Sequence, residues 1–221
     1  MLEKERIAII NKKLKSRKLK APSEIELVDE YEIDTCSLED ICKRAIISAI
    51  MAKCAFYLYE AENKQKIKDE YTELLKKYGV YDHLYDDELE VLNKEFNEPL
   101  CDTIAWRYQS SIALLWLLGL VENIDDAFDP EDVEDEICKI FNKIISYKTL
   151  DTLMSQANLK STEELSDMFV LYWHYHWCII DASLNGNRID TLFYDVVSER
   201  RRALEWALFC NGEDWNFIMD T

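Results

Sequence analysis

Residues 161–186 read STEELSDMFVLYWHYHWCIIDASLNG. This stretch opens with a capping box, in which Ser161 and Glu164 would each bind a backbone N–H at the start of a helix. It closes on Asn185 and Gly186, a pair that is typical of a turn and unfavourable inside a helix. Since neither proline nor glycine interrupts the apolar stretch between these signals, the sequence predicts one long helix.

Similar helical signals recur along most of the chain. They predict further helices over residues 2–18, 37–59, 67–78, 84–96, 102–118, 129–144 and 195–207. Asp129 and Asp195 are the expected N-caps of the helices that they open, and residues 23–36 are expected to form a loop. The predicted fold class is all-α, a compact multi-helix bundle of about seven to nine helices with a basic N-terminal helix. Residues 1–36 would form that helix and a polar loop, and residues 37–221 a single all-helical domain.

The glycines and histidines limit the enzyme classes that the chain can belong to. All four glycines lie at predicted helix ends, so none remains for a glycine-rich phosphate loop, a dinucleotide fingerprint or a nucleophile elbow. The three histidines, His83, His174 and His176, form no His-Glu-x-x-His zinc motif. These absences favour a function other than catalysis.

Seven cysteines are spread along the chain without a Cys-x-x-Cys pair, mostly among apolar neighbours. They are expected to be reduced, buried thiols, as is usual in the cytoplasm. Residues 1–20 lack the apolar region of a secretory signal peptide. The longest apolar run, residues 112–121, is about half as long as a membrane-spanning helix. We therefore expect a cytoplasmic protein that does not enter a membrane.

The charge of the chain is strongly negative and unevenly distributed. Lys and Arg total 26 against 44 Asp and Glu, which gives a net charge of −18 at pH 7. Residues 1–20 carry eight basic and two acidic side chains, whereas residues 122–136 carry nine carboxylates and no basic residue. Such a surface repels nucleic acid and anionic membranes and attracts a basic partner. The expected partner surface comprises Asp125, Asp126, Asp129, Glu131, Asp132, Glu134 and Asp135.

Three segments carry a resemblance to a known family. They are Trp106-Arg107-Tyr108 leading into Trp116-Leu-Leu-Gly119, His176-Trp177 with Asp181, and Glu199-Arg200-x-x-Ala203-Leu204-x-Trp206 followed by Trp215 and the terminal Asp220-Thr221. In this order and spacing, the segments resemble the domain-of-unknown-function family 4272 over residues 5–221. The resemblance implies a helical protein of the bacterial cytoplasm, and it implies no known activity.

Arg107 and Arg200 lie at the edges of apolar helical faces, where a guanidinium needs carboxylate partners once it is desolvated. Two interpretations stay open. In the first, an internal ion-pair network pins the C-terminal segment to the core. Its candidate members are Asp181, Glu199 and Asp220. In the second, Arg107, His176 and Arg200 together bind a small anionic ligand through charge-assisted hydrogen bonds.

His174 and Cys178 lie four residues apart, a spacing that presents two metal ligands on one face of a helix. No further ligand nearby completes a coordination shell, so neither a metal site nor a cofactor is predicted. Trp173 and Trp177 have the same spacing, which for aromatic residues is typical of core packing.

The charge pattern and the arginines together suggest three functions. The leading hypothesis is a non-enzymatic protein-binding protein, in particular an inhibitor or immunity-type protein that masks the basic surface of a partner. The alternative is a small-ligand binder or enzyme that uses a pocket of Arg107, His176 and Arg200 for an anion. A third is a structural adaptor whose basic residues 1–20 dock an acidic neighbour or a second copy of the chain, which leaves a homo-oligomer open.

Overall fold

The structure of the protein is a computed structural model that describes residues 2–20, 25–125, 130, 132–210, 215 and 219. Its α-helices are α1 (Glu3–Ser16), α2 (Leu38–Tyr57), α3 (Lys64–Lys77), α4 (Asp86–Asn93), α5 (Glu98–Ala105), α6 (Arg107–Leu117), α7 (Val133–Ser146), α8 (Leu150–Gln156), α9 (Thr162–Leu184) and α10 (Tyr194–Leu208). Two short 3-10 helices, Glu30–Glu32 and Tyr81–His83, lie in the connections. The predicted all-α class is confirmed, since the described residues pair as extended backbone only in an isolated bridge between Asp34 and Phe209. No helix in the described ranges combines the length and the apolar character that a membrane crossing requires.

The predicted capping box of α9 is present. Ser161 Oγ accepts a hydrogen bond from the Glu164 N–H at 3.2 Å, and Glu164 Oε2 accepts one from the Ser161 N–H at 3.1 Å. The Ser161 N–H and, at 2.9 Å, the Ser161 hydroxyl donate to the Glu164 carboxylate, which lowers the pKa of Glu164. The helix ends at Leu184, and Gly186 adopts a left-handed φ of +68° beyond it. The predicted bounds of α9 are confirmed.

The single helix predicted over residues 102–118 is wrong, because the chain forms two helices, α5 and α6, in this region. α5 begins at Glu98, where the Asn97 side chain accepts a hydrogen bond from the Leu100 N–H at 3.4 Å and Pro99 lies in the first turn. Trp106 separates α5 from α6. Local capping chemistry therefore starts the helical region earlier than its apolar pattern suggests.

Two predicted N-caps are wrong, and one helix was not predicted. The N-cap of α7 is Asp132, whose side chain accepts a hydrogen bond at 2.9 Å from the backbone N–H three residues on, while Asp129 lies outside the described residues. α10 begins at Tyr194, so Asp195 lies within its first turn, where a carboxylate still interacts favourably with the helix dipole. The unpredicted helix is α8, which the Thr149 side chain caps.

The chain divides into two compact units. The first unit comprises Met1–Cys36, Asp125–Asp129 and Lys160–Thr221, with helices α1, α9 and α10. In this unit α10 packs on α9, and so does the basic helix α1. Ile10 and Leu14 of α1 are buried, and Arg6 Nε donates a hydrogen bond to an Asp167 carboxylate oxygen at 2.7 Å.

The second unit comprises Ser37–Ile124 and Pro130–Leu159, with helices α2 to α8. Its centre is α2, which packs against α3, α5, α6, α7 and α8. Ala52 of α2, Tyr108 of α6 and Ile137 of α7 form a buried cluster. Such a helix needs apolar or small side chains on most of its circumference, and residues 41–55 supply them.

The prediction that all seven cysteines are reduced is wrong for two of them. Cys36 and Cys210 form a disulfide across a sequence separation of 174 residues. Backbone hydrogen bonds hold the two segments side by side, from the Cys36 N–H to the Ala207 carbonyl at 3.0 Å and from the Cys210 N–H to the Asp34 carbonyl at 2.7 Å. Tertiary structure, and not cysteine spacing, creates this pairing. The remaining cysteines are free thiols, and all of them except Cys138 are buried.

Alanine substitutions at two glycines should differ in their free-energy cost, because both positions have left-handed backbone but only one would also produce a steric clash. Gly119 follows α6 with a φ of +69°, and a Cβ there would lie 2.5 Å from the Asn158 carbonyl oxygen. Gly79 follows α3 with a φ of +70°, and a Cβ there would meet nothing within 4 Å. We expect Gly79→Ala to lower the free energy of unfolding by about 1 kcal/mol, and Gly119→Ala to lower it by about 1 kcal/mol more. Urea denaturation measures both values, and equal losses would show that the clash is absent.

Candidate functional site

Arg107 is buried in the second unit within a cluster of opposite charges. Its guanidinium donates a hydrogen bond to Glu88 Oε1 at 2.5 Å and also pairs with Asp87. Arg44 pairs with the same Glu88 oxygen, and the Glu88 carboxylate is fully buried. The other Glu88 oxygen accepts a hydrogen bond from the Tyr85 N–H at 3.0 Å. The carboxylates that face Arg107 thus come from α4, and an anionic ligand would have to displace them.

His176 and Arg200 lie in the first unit, on α9 and α10. Arg200 Nη1 donates a hydrogen bond to the Tyr172 hydroxyl at 3.1 Å. His176 is bound instead by Arg201, whose Nη1 lies 2.6 Å from His176 Nδ1. Burial, together with nearby arginines, lowers the pKa of His176 to about 4, so at pH 7 the ring is neutral and accepts the hydrogen bond at Nδ1. The structure brings His176 and Arg200 into one unit, places Arg107 in the other, and adds Arg201 to the predicted set.

Two of the predicted ion-pair residues, Glu199 and Asp181, have partners in the first unit. Glu199 accepts a hydrogen bond from Arg202 Nε at 3.3 Å, one turn further along α10. Asp181 lies near the end of α9, where a carboxylate oxygen is 3.9 Å from Lys20 Nζ and the Asp181 carbonyl accepts a hydrogen bond from the Asn185 side chain at 2.7 Å. Asp220 lies outside the described residues.

Asp125 begins the predicted acidic surface, but its carboxylate binds side chains of its own unit. Asp125 Oδ2 lies 3.1 Å from Lys13 Nζ, and Oδ1 accepts a hydrogen bond from the Tyr175 hydroxyl at 2.7 Å. Arg17 donates hydrogen bonds to the same residue and, at 3.0 Å, to Tyr175. Burial and the Asp125 carboxylate raise the pKa of Tyr175, so its hydroxyl stays protonated. Asp125 therefore ties α1 to α9.

The rest of the predicted acidic surface is only partly described. Asp132 caps α7, and Asp135 pairs with Lys139 one turn further along that helix. Glu134 is exposed. Three of the predicted residues lie outside the described part of the chain, namely Asp126, Asp129 and Glu131.

The first unit contains a cavity of about 740 Å³, a size that is usual for ligand sites. Aromatic side chains form much of its wall, namely Phe169, Trp173, Trp177 and Phe209. Three of them lie on α9 at four-residue intervals, which places them along one face of the helix. The sequence favours core packing for Trp173 and Trp177, but both are only half-buried and their side chains line this cavity.

Carboxylates complete the wall of the cavity. Glu26 and Glu32 come from the segment that precedes α2, and both are exposed to solvent. Glu205 comes from α10 and pairs with Arg201 Nε at 3.1 Å. Among the described residues that line the cavity, none is a lysine or an arginine. The electrostatic potential of the cavity should therefore attract cations.

His174 also lines the cavity, and its side chain carries an unsatisfied polar atom. The residue is 4% exposed, and its buried Nδ1 has no hydrogen-bond partner among the described residues. Its ring meets that of Trp173 edge to face at 5.0 Å. Burial lowers the pKa of His174 below the ordinary histidine value, so the imidazole is neutral at pH 7. A buried polar atom without a partner is uncommon in proteins and points to a missing ligand or water.

Comparison with known proteins shows the family of the chain. The family model of a domain of unknown function, DUF4272, matches residues 6–218. The chain belongs to the DUF4272 family. The resemblance of its tryptophan and arginine motifs to this family is thereby confirmed. No curated protein and no solved structure matches the chain.

The described residues of this DUF4272 protein contain no group of three or more His, Cys, Asp and Glu side chains that could hold a metal ion. Cys178, which has metal-ligand spacing from His174, donates instead to the Lys20 carbonyl at 3.6 Å. Burial raises the pKa of Cys178 to about 11, so the thiol is protonated at neutral pH.

Proposed function

We propose that this DUF4272 protein is a non-enzymatic protein-binding protein that engages a partner with a basic surface, as an inhibitor or immunity-type protein would. The observation that carries the proposal is the acidic segment, residues 26–34, which has five carboxylates and no basic residue. Glu26, Asp29, Glu32 and Asp34 are exposed, and none of these four forms an ion pair with a described lysine or arginine. Their charge stays available to a partner.

The position of the acidic segment strengthens this proposal. Glu26 and Glu32 stand beside the aromatic wall of the cavity, so one surface offers both negative charge and apolar area. Protein interfaces are enriched in aromatic residues and arginine, and opposite charges speed association and exclude wrong partners. Solvent ions screen charge over about 10 Å at 0.1 M ionic strength, so a compact cluster acts mainly on a partner already close by.

The contacts favour protein binding over the alternative of an anion-binding pocket or enzyme. Arg107 already faces Asp87 and Glu88, and the neutral His176 accepts a hydrogen bond from Arg201. An anion would therefore compete with carboxylates at the first site and meet an uncharged ring at the second.

The buried thiols also support a non-catalytic role. Burial raises the pKa of both Cys42 and Cys54 to about 12, so neither thiol is a nucleophile at neutral pH. We further propose the bacterial cytoplasm as the location, since five free cysteines suit a reducing compartment. The Cys36–Cys210 disulfide does not fit this location, because disulfides persist mainly in oxidising compartments.

Affinity capture with the purified chain, followed by reconstitution with the purified partner, tests the proposed function. We expect a partner with surplus lysine and arginine on its surface. The double variant Glu26→Gln/Glu32→Gln should weaken the complex about tenfold, because two charge pairs of up to about 1 kcal/mol each are lost. The control Glu3→Gln/Asp190→Asn removes two other exposed carboxylates of the first unit and should change the affinity less than twofold. An acidic partner, or equal weakening by both double variants, would refute the proposal.

A further inference from the structure

The aromatic wall of the cavity in the first unit already faces one cation. Lys20 Nζ lies 5.7 Å from the centroid of the Trp177 ring, within the range of a cation–π contact. The Lys20 side chain is 75% exposed, so water competes strongly for its ammonium group. A cation that is held inside the cavity would interact more strongly with Trp173 and Trp177, because less water would screen it.

His174 supplies a second, independent sign of a ligand. With the ring proton on Nε2, the buried Nδ1 is a hydrogen-bond acceptor that no described donor satisfies. Because the ring is neutral, it does not repel a cation. Nδ1 has almost no solvent-accessible surface, so a ligand reaches it only when the imidazole turns towards the cavity; an N–H donor there then removes the cost of this unsatisfied atom.

The carboxylates determine the charge of the ligand. Glu205 is already paired with Arg201, so it adds little to the attraction. Glu26 and Glu32 form no ion pair with a described residue and stand at the exposed side of the same cavity. The ligand should therefore carry positive charge, N–H donors and a face that packs on an aromatic ring.

We propose that this cavity binds the guanidinium group of an arginine side chain on the basic partner, with Nδ1 of His174 as acceptor, Trp173 and Trp177 as stacking surfaces, and Glu26 and Glu32 as counter-charges. The inference rests on the proposed function, since it names the side chain by which the partner is recognised. A guanidinium fits these groups better than an ammonium. It is planar, weakly hydrated and carries five N–H donors, so it can stack and donate at once.

An NMR titration of the full chain with N-acetylarginine methylamide tests the proposal. The indole N–H signals of Trp173 and Trp177 should shift saturably, and the neutral citrulline analogue should leave them unchanged. Affinity should fall at least about tenfold in His174→Phe, which loses the acceptor for a charged donor. It should fall about threefold in Glu32→Gln, and Asp190→Asn should have no effect because that exposed carboxylate lies outside the cavity.

The stability of His174→Phe separates a lost ligand contact from a folding defect. The substitution keeps an aromatic ring against Trp173 and removes the buried unsatisfied atom, so the melting temperature should stay equal or rise. A retained fold with weaker arginine binding supports the assignment. Three results would overturn it. The citrulline analogue could bind as well as the arginine amide, or N-acetyllysine methylamide could bind more tightly than the arginine amide. The affinity for the arginine amide could also be unchanged in both His174→Phe and Glu32→Gln.

Experiments with the basic partner distinguish a failure of the cavity assignment from a failure of the proposed function. If a basic partner binds the wild type and His174→Phe equally, the cavity assignment fails and the proposed function stands. If the arginine amide binds but the partner's affinity is unchanged when its surface arginines are replaced, the cavity does not recognise the partner and the assignment to a protein-borne arginine fails.

Discussion

The Glu88→Gln variant should unfold with a free energy about 3–5 kcal/mol below that of the wild type, the largest loss that we expect from one substitution. Glu88 is fully buried on α4 and accepts hydrogen bonds from both Arg44 and Arg107, which are themselves only 3% exposed. Removing its charge leaves two desolvated guanidinium groups without a shared carboxylate. The free energy lost when a buried charge is left unpaired is several-fold larger than the free energy lost when an exposed ion pair is removed.

Glu90→Gln is the matched control for Glu88→Gln. It lies on the same helix and pairs with Lys94 four residues on, where the Lys94 side chain is 68% exposed. This substitution should cost about 0.5 kcal/mol or less. Urea denaturation of both variants, with linear extrapolation to water, gives the two values. If the losses differ by less than about 1 kcal/mol, the buried charge cluster does not stabilise the second unit as described.

Reduction of the Cys36–Cys210 disulfide should lower the stability of the first unit by about 2–4 kcal/mol. The bond joins residues 174 apart, so its loss releases a long loop in the unfolded chain. Longer loops give larger entropic effects when a cross-link is removed. The folded state should change little, because hydrogen bonds from Cys36 to Ala207 and from Cys210 to Asp34 hold the segments together without the bond.

Denaturation with and without a phosphine reductant measures this effect. The double variant Cys36→Ser/Cys210→Ser provides the control, since it should have the stability of the reduced wild type and should not respond to the reductant. An equal response of the wild type and the double variant would mean that the reductant acts elsewhere. If reduction left the free energy of unfolding of the wild type unchanged, the disulfide would not restrain the unfolded chain.

The sequence predicts well those elements whose signals are local. The capping box at Ser161 and Glu164 and the turn at Asn185 and Gly186 define α9 without reference to the rest of the fold. Likewise α2 starts where the sequence predicts, because Ser37 is its N-cap and accepts a hydrogen bond from the backbone N–H three residues on. Where two local signals compete, as at Pro99 and the apolar run after it, the capping signal sets the boundary.

The candidate site was harder to predict, because its parts are distant in the sequence. The four-residue spacing of Phe169, Trp173 and Trp177 is visible, but it does not distinguish a cavity wall from core packing. The distinction depends on Glu26 and Glu32, which the backbone pairing beside Cys36 brings towards α9 and α10. In the same way, no short-range pattern links Arg107 to the carboxylates of α4.

The dissociation constant of the complex with the purified basic partner, measured from about 0.05 to 0.5 M salt, shows whether charge on the acidic segment 26–34 drives binding. If the acidic segment 26–34 binds a basic surface, affinity should fall at least about tenfold over this range, and the Glu26→Gln/Glu32→Gln variant should show a shallower dependence. An affinity that stays constant across the range, or a slope that these two substitutions leave unchanged, would contradict it.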